Sequence, residues 1–326
     1  MKKMIALFLV LTLTLSVLFA CAPAATGETV RLGGMTGPTS IGMAKLLSDD
    51  AAGESKNNYE FTLAESGIDI RTKLIKGELD IAAIPANLAS ALFKATNGEI
   101  CVLAVNTLGV VSLLEKGESV HAISDLRGKK VYMPATAKGA IPEIVFQYFL
   151  SLEGMTAGVD LTVEAIPADT PGAKLKNEPG AVILSPEPAA TTLLSKVEGA
   201  RRALSLDEEW GALDNGSSYI TGVTVVRRSY AEAHPDVIKA FLWEYERSIA
   251  YAGESPAETA ALVNAFGILS QEPALITAAI PSCNLAFLSG QEMKASLSTY
   301  FSLLVPVSPA AFGGEVPADD FYYMTE

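Results

Sequence analysis

The chain has 326 residues, 49% of them hydrophobic, with 24 Lys and Arg against 37 Asp and Glu and a formal net charge of −13. That acidic excess excludes a nucleic-acid surface and a polybasic membrane patch, while the apolar share is ample for more than one buried core. With only three cysteines and two histidines, no disulfide scaffold and no zinc-ligand cluster is spelled out, and no metal or cofactor is expected.

Lys2 and Lys3 precede an apolar run that reaches Phe19, with the small residue Ala20 before Cys21. A basic start and an apolar run of this length make a secretory signal rather than a spanning helix. Leu18-Phe19-Ala20-Cys21 resembles the bacterial lipoprotein box, although Phe19 stands where a small or β-branched residue is usual. The resemblance implies cleavage before Cys21 and acylation of its thiol. Residues 1–20 are then the signal peptide and 21–28 a lipidated tether on the outer face of the membrane. The rest suits two domains of about 150 residues each. Cys101 and Cys283 lie far apart with no C-x-x-C and read as small buried hydrophobes.

The mature chain opens with a short strand (29–32), a glycine-rich turn and an amphipathic helix reaching residue 47. Pro38 suits the first helical position, and Thr36, Thr39 and Ser40 are candidate caps. Gly33, Gly34 and Gly37 let the backbone approach a ligand, at a helix start with free N–H groups. Residues 59–63 alternate as a strand, and Ser66-Gly67-Ile68-Asp69 starts a helix that Gly77 ends. A buried strand follows over 78–85, broken by Pro85, then a helix over 87–94 and an apolar strand over 100–105. This β-α-β-α-β rhythm predicts a parallel sheet with helices on its faces.

A second series begins near Leu108, with strands over 110–114 and 130–133. Ile141, Ile144, Val145, Tyr148, Phe149 and Leu152 then fall at helical spacing, before Gly154. Strands over 161–166 and 181–184 and a short helix over 191–197 complete the series. Ile84-Pro85-Ala86, Met133-Pro134-Ala135, Ile166-Pro167-Ala168 and Ser185-Pro186-Glu187-Pro188 each stop a strand in a rigid loop. The repetition suggests two similar lobes whose loops gather at one carboxyl edge. A strand over 219–226 leads out of the second lobe into helices over 235–252, 256–266, 273–279 and 290–304.

The order of several short pieces resembles the solute-binding lipoproteins of ABC importers, in the nitrate/sulfonate/taurine and thiamine-precursor branch. They are Gly67-Ile68 through Leu79-Asp80-Ile81-Ala82 with Pro85, Asp125-Leu126-Arg127-Gly128-Lys129-Lys130-Val131 with Pro134, Glu187-Pro188, and His234 to Phe241. The resemblance implies an α/β, two-lobed type II periplasmic-binding fold, each lobe a mainly parallel sheet flanked by helices. Lobe 1 would comprise 29–106 and 220–326, and lobe 2 107–219, with crossovers near 105–108 and 218–221. It also implies a small-molecule solute in the cleft, a permease with its ATPase as partners, a monomer, and no enzymatic activity. A biosynthetic enzyme on the same fold, or a sensor lipoprotein, is the alternative. Ile84-Pro85-Ala86-Asn87 departs from the family's Gly-Gly-Pro-Pro-like loop, so the ligand does not carry over.

The strand-end loops supply the candidate ligand-binding residues: Met35, Thr36, Thr39, Ser40, Asn87, Asn106, Thr107, Thr136, Lys138 and Glu187. The same loops carry Glu65, Asp69, Glu187 and Asp214 against one base, Lys138, and no arginine. Arg201-Arg202 reads as solvated surface. This balance favours a neutral, zwitterionic or cationic nitrogen-bearing solute over nitrate or a simple alkanesulfonate.

Overall fold

The computed structural model describes residues 23–64 and 66–324; the signal segment with Cys21, and Glu65, lie outside the described residues. The first part of the chain forms β1 (Thr29–Met35), α1 (Ala44–Ala51), β2 (Asn58–Ala64), α2 (Gly67–Ile75), β3 (Ile81–Pro85), α3 (Ala86–Ala95) and β4 (Ile100–Leu108). The middle forms β5 (Val111–Lys116), β6 (Lys130–Pro134), α4 (Ile141–Leu152), β7 (Thr162–Ile166), α5 (Pro171–Asn177), β8 (Val182–Pro186), α6 (Ala189–Lys196), β9 (Ala200–Ser205) and α7 (Leu206–Ala212). The last part forms β10 (Ile220–Arg227), α8 (Arg228–Ala233), α9 (Pro235–Glu254), α10 (Pro256–Ala265), α11 (Pro273–Ala279), β11 (Leu285–Ser289) and α12 (Gly290–Leu304). Among the described residues no helix is long and apolar enough to cross a membrane.

Two sheets result, ordered β2-β1-β3-β10-β4-β11 and β7-β6-β8-β5-β9. Within each, the central pairs run parallel: β1 with β2 and β3, β6 with β7 and β8. In each sheet one interior strand runs against both its neighbours, β10 between β3 and β4, and β5 between β8 and β9, and the edge strand β11 also runs against β4. β10 and β5 are the strands that the chain makes directly after passing from the other sheet. The first five strands of the larger sheet therefore repeat the order of the smaller one. Two similar lobes exchange a strand.

The first passage is Gly109-Val110, because Thr107 and Leu108 still pair with Gly222 and Ile220 of β10. The second runs from α7 to the start of β10. Gly109 is wedged there: a Cβ on it would lie 2.4 Å from the Tyr219 ring and 2.5 Å from Asp207 Oδ1. Behind the passages, Trp210 of α7 packs against Tyr148 and Phe149 of α4, Tyr219, and Tyr300 of α12, with ring centroids 5.3–6.1 Å apart. This cluster belongs to a core that runs through both lobes. Full burial of each large side chain there contributes about 1.5–3 kcal/mol.

The opening stretch departs from its expected form. β1 continues through Gly33 and Gly34 rather than turning there. A Cβ on Gly33 would lie 2.6 Å from Leu79 Cδ1, and one on Gly34 2.7 Å from Ser40 Oγ. These glycines admit neighbouring side chains, not a ligand. The following turn is a 3-10 helix over Pro38–Met43 with proline in its first turn and no side-chain cap. Cys101 and Cys283 are buried free thiols; burial pushes Cys101 up to about 12.

Candidate binding cleft between the lobes

Parallel strands place their carboxyl ends at one edge of a sheet, the edge where ligands sit in open α/β folds. Pro85, Pro134 and Pro186 close β3, β6 and β8. With φ near −59° and −58°, Pro85 and Pro134 lead straight into helical turns at Ala86 and Ala135. The two edges are joined by the short passages and by α6 meeting α11.

The ten candidate residues divide into three groups at these edges. Thr36, Thr136 and Lys138 are exposed, and Met35 and Asn87 half-buried. Ser40 is fully buried, and its hydroxyl accepts from the Met35 N–H (3.0 Å), so it staples the opening loop instead of capping a helix. Thr39 and Asn106 flank Gly222, where a Cβ would lie 2.4 Å from Thr39 Cγ2 and 2.5 Å from Asn106 Oδ1. The Asn106 amide donates to Thr224 Oγ1 (3.0 Å), the Thr107 hydroxyl donates to Asn106 Oδ1 (2.9 Å), and the Thr224 hydroxyl donates to the Tyr245 hydroxyl (3.2 Å). That network is buried, so Asn106 and Thr107 meet protein partners.

Glu187 is 3% exposed at the end of β8. Its Oε1 accepts from Arg202 Nη2 (2.7 Å) and its Oε2 from the Thr191 N–H (3.1 Å) in the first turn of α6. Arg202 also donates to the Ser112 hydroxyl. The reading of Arg201-Arg202 as solvated surface, with no arginine near the cleft loops, is therefore corrected. Successive side chains of a strand point to opposite faces, so the pair on β9 separates. Arg201 goes to Glu115 (2.5 Å) and to the Val120 carbonyl (2.8 Å), and Arg202 to Glu187. Nothing in local spacing marked β9, and the partner of Arg202 lies on another strand.

Beside this pair, a cavity of about 220 Å³ opens between the lobes, lined among others by Ser112, Arg202, Ser205, Asp207, Ser282 and Asn284. Burial, followed by the nearby Glu208 charge, pushes the Asp207 carboxyl above its ordinary value, although the Gly109 N–H pulls the other way. Larger hollows of about 450 and 470 Å³ lie against the start of α9 and between α9 and β11. None of the three, the inter-lobe cavity included, is lined by any of the ten candidates.

No family model and no curated protein sequence matches this chain. Solved structures do. An ABC transporter structure from Parabacteroides distasonis is similar over 92% of this chain and 100% of its own, at 20% identity and a TM-score of 0.73. The periplasmic aliphatic sulphonate-binding protein SsuA from Escherichia coli matches over 89% of this chain and 94% of its own, at 16% identity and a TM-score of 0.68. The periplasmic nitrate-binding protein NrtA from Synechocystis matches over 91% of this chain and 85% of its own, at 17% identity and a TM-score of 0.60. The chain has the two-lobed fold of ABC-importer solute-binding proteins. In a binding-protein fold the facing strand ends of the two lobes form the cleft. Arg202, which the sequence placed on the solvated surface, and Asp207 and Asn284, which sequence reasoning passed over, line the cavity at its crossover end.

Proposed function

We propose that this chain is the extracytoplasmic solute-binding lipoprotein of an ABC importer, anchored through Cys21 and acting as a monomer. It takes a small organic solute between lobe 1 (29–106 with 220–326) and lobe 2 (107–219) and delivers it to a permease and its ATPase. The observation that carries this reading is the repeated strand order, with one strand exchanged and two short passages between facing strand ends. Such a layout encloses a ligand by hinge motion about a few crossover residues. The likeness to sulphonate- and nitrate-binding proteins of importers supports the same reading.

The exposed and half-buried strand-end residues, Met35, Thr36, Asn87, Thr136 and Lys138, meet the solute. The buried ones, Thr39, Ser40, Asn106, Thr107 and Glu187, set the cleft wall from behind. The solute is a nitrogen heterocycle such as an aminopyrimidine, or a sulfonate of the taurine kind. Arg202 brings one guanidinium to the cleft, but Glu187 already neutralises it, so the balance still favours a neutral, zwitterionic or cationic nitrogen compound.

A thermal-shift and calorimetry panel of alkanesulfonates, nitrate, taurine and pyrimidines tests this. A true ligand at a hundred times its dissociation constant adds about 2.7 kcal/mol of stability. Binding of a nitrogen compound with one-to-one stoichiometry supports the reading. Tight binding of nitrate or a plain sulfonate alone overturns the charge assignment, and conversion of a solute to product overturns the transport role.

A further inference from the structure

The polar cavity at the crossover end stands apart from the ten strand-end candidates and holds unused bonding capacity of both signs. Asp207, in α7, lies half-buried on its wall. Its Oδ1 accepts from the Gly109 N–H (3.1 Å) and its Oδ2 from the Asn284 side-chain amide (3.1 Å). Both donors are neutral, and each carboxylate oxygen can accept from more than one group. Among the described residues no Lys or Arg pairs with Asp207. Its surroundings bring no cation to it: Glu208 beside it is acidic, Tyr219 faces it from the second passage, and the first lobe contributes Pro281, Ser282 and Asn284.

Arg202 of β9 lines the same cavity. It gives one N–H to Glu187 Oε1 (2.7 Å) and another to the Ser112 hydroxyl. The rest of its planar fork has no acceptor among the described residues, and 29% of the side chain is exposed. A carboxylate without a counter-charge and a guanidinium with N–H groups to spare thus share one hollow without pairing with each other. We propose that this cavity is a subsite for a short zwitterion, its ammonium against Asp207 and its carboxylate or sulfonate on the free N–H groups of Arg202. The proposal rests on the reading of a solute-binding cleft and names the chemistry that one end of that cleft takes.

Charge and size both limit the occupant. A plain anion would gain Arg202 but meet Asp207, Glu208 and, behind the guanidinium, Glu187. A plain cation would gain Asp207 but leave the fork of Arg202 unfilled. The hollow of about 220 Å³ holds about seven water volumes, room for an amino acid with few carbons. Ser205 accepts from the Glu208 N–H (3.4 Å), so its own O–H is free to donate to the oxyanion. The Asp207 carboxyl stands above its ordinary value because of burial and then the Glu208 charge; a bound ammonium supplies the missing counter-charge and favours the ionised form. Both lobes line the cavity, so a zwitterion seated there lies between them.

Calorimetry on the full chain at about pH 7 is the test, with glycine, β-alanine and taurine as zwitterions and methylammonium and acetate as single-charge probes. A zwitterion should bind one-to-one and about tenfold or more tighter than either single-charge probe; the carboxylate and sulfonate arms separate the two oxyanions. Asp207→Asn, and Arg202→Lys, which keeps a charge beside Glu187 but removes the fork, should each weaken that binding about ten- to a hundredfold. A carboxyl-carbon NMR titration of Asp207 in the unaltered protein does not depend on how well a variant folds, and it should move to lower pH with the zwitterion bound. No zwitterion binding, binding no tighter than that of methylammonium or acetate, unchanged affinity in both variants, or an Asp207 titration that the bound zwitterion leaves in place overturns the subsite. A pyrimidine that binds one-to-one while Asp207 stays unmoved and the zwitterions fail to bind sinks the subsite and leaves the transport reading standing, so the two fail separately.

Discussion

Glu187 has two donors of its own lobe on its oxygens, Arg202 and the Thr191 amide, and a side chain fully out of water. Breaking a buried ion pair from one side costs about 3–5 kcal/mol. The Arg202 side chain keeps 29% of its surface exposed, so the expected loss for Glu187→Ala is smaller, about 1–3 kcal/mol. Urea unfolding measures it. Glu187→Gln separates frame from ligand contact: unchanged affinity assigns Glu187 to the frame, whereas a fall of about 1.5–3 kcal/mol in binding assigns it to the solute. The side chain's position at a proline-bounded strand end was legible in sequence. Its partner was not, since Arg202 lies 15 residues further on and reaches it across strands.

At the scale of elements, α4, α7 and α12 lock around one indole. The chain has two tryptophans, and Trp210 is 1% exposed while Trp243 stacks under Arg247 on the surface. Truncating Trp210 to alanine is expected to cost about 3–5 kcal/mol, as for other buried aromatic-to-alanine changes, read by thermal or urea unfolding. A Trp243→Phe background leaves Trp210 as the single emitter beside Tyr219 on the second passage. Its emission should change when solute closes the cleft, and constancy with a saturating solute would mean that the α7 cluster does not move. The periodicity of α4 announced that helix, Ile141–Leu152, to the residue. The seven residues of α7 carry too short a pattern to do so.

For the whole molecule, the proposed lipoprotein reading rests location on one residue, Cys21. Replacing Cys21 by alanine removes the proposed acyl site and should release the protein from membranes, because on that reading a lipid chain supplies the anchor. Fractionation checks this, and continued membrane association would contradict the lipoprotein reading. The acidic surface gives no second electrostatic hold on an anionic bilayer.

Proline-ended strands, the Ser66 start of α2, whose hydroxyl accepts from the Asp69 N–H (3.2 Å), and the alternation of strands with helices were all present in the sequence. They are local signals, set by fixed φ, capping and hydrophobic period, and together they determined the parallel strands at the heart of two mixed sheets. β9 and β11 escaped because they are edge strands with nearly uniform half-burial and no alternation to read. The roles of Gly33 and Gly34, the separate partners of Arg201 and Arg202, and the meeting of Asn284 with Gly109 were decided only in the folded chain. Asn284 and Gly109 are 175 residues apart. A backbone period specifies which face a residue takes; which distant group waits on that face follows from how the two lobes exchange strands and pack.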